Sequence, residues 1–415
     1  MNTLKPNVVV IGGGMITEVQ VLPSLYQLQR LGVINEISIS ALNGAPLKKL
    51  ANSKTLAEAF PGQGFMPYPD FTKEDPEKAF PDMYKTALDD AGENNIALIA
   101  LPDQMHYGAI KEALERNMHI ISVKPLVLNY KQSLELEKLA EEKNLFIGVE
   151  YHKRADDRSL IARRRYRSGL FGEFKMGQAH LVEPWYYRDS NFQNWCTVEN
   201  SDMFSYIACH YIDLVHFITS LLPSEISVYG IIDDYPNGNK GYLYTDGRVI
   251  WENGAVLNVQ NAIGYPNIGP GGNSQGMMLF FEGSKDGGFL FHQDQYRGVK
   301  HSMLQKGNEP GDTHYVETSP DYFQLLEYGG VGLEPVGYGY RSIRKLVEAA
   351  VSIASASGPQ QKTELIKKID ATGIVATPAN SYYNELVMEA GRMSITNEGK
   401  PVCISYKGTP SVSFK

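Results

Sequence analysis

Cysteine is nearly missing from this chain of 415 residues: Cys196, Cys209 and Cys403 are all there is, an odd count with no metal-ligand spacing. That argues against a disulfide scaffold or a thiolate metal cluster and fits a reduced compartment. No apolar run approaches the length of a membrane span, so no membrane partner is expected. A core strand begins by Val8, which leaves no room for a signal peptide, and the expectation is a cytoplasmic protein. Positive charge is in deficit, with 39 Lys and Arg against 47 Asp and Glu, a net charge of −8. A nucleic-acid or anionic-membrane surface is thereby disfavoured. The basic triplet Arg163-Arg164-Arg165 stands in a helical stretch and reads as a solvated face.

What is present is an ordinary globular composition, 43% hydrophobic and 21% charged, long enough for two domains. Up to about residue 150 strands and helices alternate. Apolar runs at Asn7–Ile11, Ile37–Leu42, Ile96–Leu101, Met118–Val123 and Leu145–Tyr151 are separated by helical segments, among them Tyr107–Arg116 and Tyr130–Lys143. Such alternation predicts a parallel sheet with right-handed crossovers, an α/β dinucleotide-binding (Rossmann) domain over 1–150. The remainder, 151–415, is expected to form a substrate-binding and oligomerisation domain.

Directly after the first strand stands Gly12-x-Gly14-x-x-Thr17. The two glycines permit a tight turn and close approach of a pyrophosphate to the backbone. Thr17 replaces the third glycine, which normally lets helix and strand pack closely. Gly12, Gly14, Met15 and Ile16 are therefore candidate cofactor-binding residues at the amino terminus of a helix, with its N–H groups and positive dipole end. A carboxylate ending the second strand would grip the adenosine ribose. Asn43 stands there instead and carries no charge to repel a 2′-phosphate, so NAD and NADP both fit, NAD slightly favoured.

Lys124 carries the most chemistry. In His119-Ile-Ile-Ser-Val-Lys124-Pro-Leu126 it ends an apolar strand, and the carboxyl ends of strands in an open α/β sheet face the ligand crevice. An ammonium there can hold a substrate oxygen as a hydride leaves or arrives. Leu101, Pro102 and His106 follow the preceding strand, and His152 and Lys153 follow the last one.

Five motifs in register, Leu101-Pro102-Asp103-x-x-His106, His119-Ile-Ile-Ser-Val-Lys124-Pro125-Leu126, Val149-Glu-Tyr-His-Lys-Arg154, Ser168-Gly-Leu-Phe-Gly-Glu173 and Tyr206-x-x-x-His210-x-x-Asp213, resemble the glucose–fructose oxidoreductase and inositol dehydrogenase family (Gfo/Idh/MocA). The resemblance runs from Val8 to about Ile404 and is diffuse between Tyr229 and Tyr338. It implies an amino-terminal Rossmann domain, a carboxyl-terminal α/β domain on a large, mostly antiparallel open sheet, and NAD(P)-dependent chemistry on sugars, inositols or related polyols. It further implies His210 as general base, Lys124 as the group orienting the hydroxyl, and Leu101, Pro102 and His106 near the nicotinamide. Tyr340 aligns with a tyrosine the family often brings to its site. Two departures stand out: Val123 replaces a glutamate before the lysine, and Tyr206 replaces an aspartate four residues before the histidine. Tyr206 is expected to supply a phenolic hydrogen bond in its stead.

Helical spacing supports part of this independently. Phe204, Ile207, Tyr211, Leu214 and Ile218 form an apolar stripe, with Tyr206, His210 and Asp213 on a neighbouring face. Asp213 is expected to cap, orient or bind a polyol hydroxyl. The segment Glu183-Pro-Trp185-Tyr-Tyr-Arg188, with Trp195, suits a sugar site, where rings meet C–H surfaces; an oligomer interface reads equally well. The glycine-rich stretch Gly264–Gly276 reads as a long hairpin loop.

The expectation is an oxidoreductase moving a hydride between NAD(P) and a secondary alcohol of a sugar, glycoside or inositol bound between the domains. Two alternatives are a tightly bound NAD supporting net non-redox glycoside cleavage through a keto-sugar, and a nucleotide-binding sensor without turnover. The carboxyl-terminal sheet, apolar on an uncovered face, predicts a homo-oligomer.

Overall fold

The computed structural model describes residues 4–269, 272–283, 286–293 and 320–415, and the backbone alone over 301–306 and 313–318. Two compact units divide the chain.

The first unit holds six parallel strands, β1 (Val8–Ile11), β2 (Ile37–Ser40), β3 (Met66–Tyr68), β4 (Ile96–Ile99), β5 (His119–Val123) and β6 (Ile147–Glu150), in the order β3-β2-β1-β4-β5-β6. The order reverses between β1 and β4, which marks a topological switch point at their carboxyl ends. β1, β4 and β6 are buried at every position, as expected for strands covered on both faces. β3 is a short edge strand interrupted by Pro67, a residue tolerated only where no ladder donor is needed, and its apolar pattern is too brief to read.

This unit is not a contiguous stretch ending near 150. Phe323–Ser381 returns to it. The reason is the helix Tyr338–Ala354, whose Ile343, Leu346, Val347 and Ala350 join β-strand residues such as Val10, Leu98 and Ile121 in one core. Gly148 on β6 faces that helix: a Cβ there would press on Leu346 and Phe146. Fully burying one such leucine stabilises by about 1.5–3 kcal/mol, so the returning helix is part of the Rossmann unit energetically as well as spatially.

The second unit is built on eight strands, ordered β12-β11-β7-β10-β9-β8-β17-β18. They are β7 (Glu173–Pro184), β8 (Pro223–Asp234), β9 (Lys240–Trp251), β10 (Val256–Tyr265), β11 (Ser274–Glu282), β12 (Gly287–Gln293), β17 (Val402–Ser405) and β18 (Ser411–Phe414). Short pairs β13 (His301–Lys306) with β14 (Thr313–Thr318), and β15 (Gln324–Leu326) with β16 (Glu334–Val336), lie outside this sheet. All pairings in the large sheet are antiparallel except β7 with β10. The expected open, mostly antiparallel sheet is present. One detail differs: Gly264–Gly276 is no hairpin loop, because β10 and β11 lie on opposite sides of β7 and never pair. Both strands alternate, and alternation reveals a strand without revealing its neighbour.

Alternation along β10 leaves Leu257, Val259 and Ile263 buried on one face and Asn258 and Gln260 exposed on the other. The helix Cys209–Thr219 and the turn before it are buried almost throughout, including the whole stripe from Phe204 to Ile218.

Candidate active site

In the first unit the glycine turn sits at the switch point. Gly12 adopts φ 121°, a conformation that L side chains rarely reach, and a Cβ there would collide with the Ala100 carbonyl oxygen beyond β4. Gly14 is the opposite case: it is exposed, and an added Cβ would meet nothing within 4 Å. Gly12 thus serves the turn, and Gly14 leaves space above the helix start. Thr17 turns inward, its hydroxyl donating to the Gly12 carbonyl (2.6 Å), which closes the loop where the third glycine was expected. No side chain caps the turn that follows. Bare backbone N–H groups, a positive dipole end and room at Gly14 fit a dinucleotide pyrophosphate. Met15 is exposed and Ile16 half-buried at this edge. Asn43 is engaged locally, its Oδ1 accepting from the Ala45 N–H (3.2 Å) as cap of the helix Gly44–Ala51.

That first helix opens as a π-helical turn, Thr17–Val21, an irregularity common at functional sites. It places Gln20 in the interior, where its amide donates to Glu150 Oε1 (2.9 Å) and the Gly339 carbonyl (3.1 Å). The other Glu150 oxygen lies 3.3 Å from His152 Nδ1. The His152 ring stacks on Tyr338 with centroids 5.5 Å apart, and Lys153, only 2% exposed, has its Nζ 5.9 Å from the centre of the same ring. His152 and Lys153 therefore both lie against Tyr338, and Glu150, hydrogen-bonded to Gln20 and next to His152, and Gln20 itself are two residues the sequence had not singled out. Glu150, at the carboxyl end of β6, carried the same strand-end signal as Lys124. Gln20 carried none, because a π turn cannot be read from spacing. Tyr340, on the helix Tyr338–Ala354, belongs to this unit too; burial pushes its phenol up, with Arg344 opposing.

Lys124 follows the last residue of β5 and is half-buried. Leu101 and Pro102 follow β4, also half-buried. His106, expected near the nicotinamide, is fully buried, with Nδ1 2.8 Å from the Pro125 carbonyl oxygen and Nε2 2.9 Å from that of Leu101. Its ring ties the segment after β4 to the segment after β5, and so acts on the Lys124-Pro125 backbone as a positioning residue.

In the second unit the helix carrying His210 is likewise preceded by a π-helical turn, Phe204–Ala208. Asp202 organises it, Oδ1 accepting from the Ser205 N–H (2.7 Å) and Oδ2 from the Ser205 hydroxyl (3.1 Å). The extra residue in the turn breaks the plain i, i+4 relation between Tyr206 and His210 on which the helical reading rested. Tyr206 is half-buried, edge-on to Phe192 (4.9 Å) and Trp195 (5.6 Å); His210 is buried. Asp213, expected to cap, orient or bind a polyol hydroxyl, anchors a neighbouring helix: its Oδ1 accepts from the Tyr383 hydroxyl (2.7 Å) and the Asn384 amide (3.0 Å), both on the helix Tyr383–Ile395. Trp185 is largely exposed, its ring stacked on Arg188.

Residues 6–151 match the model of the GFO_IDH_MocA family, described as an oxidoreductase family with an NAD-binding Rossmann fold. An uncharacterized oxidoreductase of Schizosaccharomyces pombe is 31% identical over 127 residues, 30% of this chain and 34% of its own length. The chain thus spans about a third of that relative. Among solved structures, myo-inositol 2-dehydrogenase from Lactobacillus plantarum is similar in fold at a TM-score of 0.61 and 14% identity, over 97% of this chain and 100% of that one. GenD2 from gentamicin A biosynthesis, solved in complex with NAD, gives 0.66 at 12% identity over 98% of each chain. Residues 6–151 are thus similar to the GFO_IDH_MocA oxidoreductase family with its NAD-binding Rossmann fold, and the six-stranded parallel sheet has the order that such a fold requires.

Proposed function

We propose that the protein is an NAD(P)-dependent oxidoreductase acting on a secondary alcohol of a sugar, glycoside or inositol. The observation that carries the reading is one of placement: the glycine turn and Lys124 both end strands at the carboxyl edge of one parallel sheet, in a family of NAD-binding oxidoreductases. The inositol dehydrogenase among the structural neighbours suggests the polyol class. The nicotinamide supplies the hydride acceptor or donor. Lys124 orients and polarises the carbinol oxygen with its ammonium, and His210 holds or releases the hydroxyl proton. Glu150, fixed by Gln20, keeps His152 in place at the end of β6. The backbone after Gly12 binds the pyrophosphate. Asn43 presents no carboxylate and so selects neither NAD nor NADP, and NAD is retained as the slightly favoured choice. A cytoplasmic enzyme assembled from two or more copies completes the proposal; no helix among the described residues is long and apolar enough to cross a membrane.

The test is a screen of hexoses, methyl glycosides and inositols with each cofactor, read by nicotinamide absorbance, alongside dinucleotide binding to Gly14→Val. Oxidation of at least one polyol and loss of binding in the folded variant are expected, because a valine fills the open space at Gly14. No turnover across the panel, or unchanged affinity in Gly14→Val, overturns the reading.

A further inference from the structure

The 3₁₀ turn Trp185–Asp189 after β7 holds two large rings in solvent. Trp185 is 46% exposed and Tyr186 48%. Exposed rings are usually loosely placed, but these are fixed. The Arg188 guanidinium carbon lies 3.9 Å from the centre of the Trp185 ring and covers one of its faces. Arg188 itself is buried: it donates to Asp233 Oδ2 (2.7 Å), to the Tyr244 hydroxyl (3.0 Å) and to the Ile263 carbonyl (3.0 Å). A guanidinium so anchored cannot swing away, and the indole resting on it presents its remaining face in one orientation. The Tyr186 backbone is pinned as well, its N–H donating to Asn267 Oδ1 (2.7 Å).

The rings also lead somewhere. Tyr186 contacts Tyr187 (4.9 Å), Tyr187 stacks on Phe192 (5.1 Å), and Phe192 meets Tyr206 (4.9 Å) on the turn that precedes His210. A continuous row of side chains therefore connects the exposed pair to the helix bearing the proposed base. Burying an arginine in order to hold an exposed indole costs desolvation that a merely solvated surface would have no use for. Preorganised rings are what a ligand surface uses, since a ligand then pays little to order them.

We propose that Trp185 and Tyr186 form a second subsite, a platform for a flat ring attached to the sugar that is oxidised, so that the physiological substrate is a glycoside rather than a free monosaccharide. This rests on the oxidoreductase reading above. An aryl aglycone would continue the guanidinium–indole stack, and a second pyranose would lay its C–H face on the same indole; the shared chemistry is a flat apolar ring face. A C–H or ring contact of this kind acts on binding, remote from the reacting carbon, and its energy appears in kcat/KM.

The experiment compares phenyl and methyl β-glycosides of glucose, galactose and mannose, together with cellobiose and lactose, in the full-length protein and in Trp185→Ala and Trp185→Phe. Turnover is read by nicotinamide absorbance and binding by titration calorimetry. The ratio of kcat/KM for the phenyl over the methyl glycoside, or for the disaccharide over the methyl glycoside, is expected to reach about tenfold. It should fall toward one in Trp185→Ala and survive largely in Trp185→Phe, which keeps a flat ring. Preference for the phenyl compounds identifies an aglycone site, and preference for the disaccharides a second sugar site. If nothing is oxidised, the oxidoreductase reading fails, and the subsite is judged by binding alone: ring-bearing glycosides should still bind more tightly than methyl glycosides, and lose that margin in Trp185→Ala. The subsite is overturned if no ring-bearing glycoside is preferred in turnover or binding. It is equally overturned if Trp185→Ala leaves the preference intact, or if that variant changes only the mass of the particle, which would make the rings a contact between copies.

Discussion

Gly12 directly follows β1 and Lys124 directly follows β5, so both stand at the carboxyl edge of the parallel sheet, a place that the stop of an apolar run also marks in the sequence. For Asp213 and His106 a polar residue at a helical or turn position carries no mark of which groups it meets. Only the structure supplies Tyr383 and Asn384 for the one and the Pro125 and Leu101 carbonyls for the other. His119 shows a buried imidazole with a measurable consequence. Burial, and then Lys362, lowers its pKa from 6.5 to about 4, while Nδ1 accepts from the Phe146 N–H (3.1 Å). The unfolded chain therefore takes up a proton near pH 6.5 that the folded protein refuses until about pH 4. Stability contributed by the neutral ring is present above pH 6.5 and is lost as pH falls toward 4, by about 3 kcal/mol. Glu137, pushed by burial from 4.5 up to about 7, acts with the opposite sign, its contribution being lost as pH rises over that range. The comparison is accordingly between the protein and His119→Asn, which keeps an acceptor for Phe146 but cannot titrate. Urea unfolding at several pH values should show a shallower loss of stability between pH 6.5 and 4 in the variant; parallel curves would refute a buried neutral His119.

At the scale of elements, the parallel strands of the Rossmann unit were readable because β-branched runs recur between helical segments. What escaped was short, irregular or distant in sequence. β3 has three residues and a proline. The two π-helical turns, Thr17–Val21 and Phe204–Ala208, cannot be distinguished from α-helix by periodicity over a single turn, yet they set the directions of Gln20 and Tyr206. The helix Tyr338–Ala354 was visible as a helix, but its membership of the first unit depends on contacts made across about two hundred intervening residues, which local pattern does not encode. That docking is testable at Gly148, where the strand and this helix approach too closely for a side chain. Gly148→Ala should lower stability by about 1–3 kcal/mol through overpacking against Leu346 and Phe146, although alanine is otherwise the less costly residue to order. Chemical denaturation gives the value directly, and an unchanged or raised midpoint would mean that the helix has room to retreat.

For the whole molecule, alternation in the second unit predicted strands with one covered and one uncovered face, and the uncovered face keeps a cluster of large apolar side chains. Met176 on β7 is paired with Phe280 on β11, and Phe280 with Phe289 on β12, all three exposed. Tyr229 and Ile231 on β8 are exposed as well. Such an area is best withdrawn from water by a second copy, so light scattering should give at least twice the 46.2 kDa of the chain, and Phe280→Glu should shift the population toward monomer. A monomer mass at micromolar concentration would contradict this.

We propose that turnover of a polyol needs both the Lys124 ammonium and the His210 imidazole, and mutant kinetics on any polyol found in the screen test this most directly. Lys124→Ala and His210→Ala should each lower kcat by roughly 10²–10⁴-fold, the range for a positioned acid–base group, with cofactor affinity little changed. The double variant should be only slightly worse than either single one, since groups that act as a unit are not additive. Tyr206→Phe should lose about tenfold if its phenol stands in for the family's aspartate. Turnover that survives both alanine substitutions, or losses that multiply in the double variant, would contradict the account.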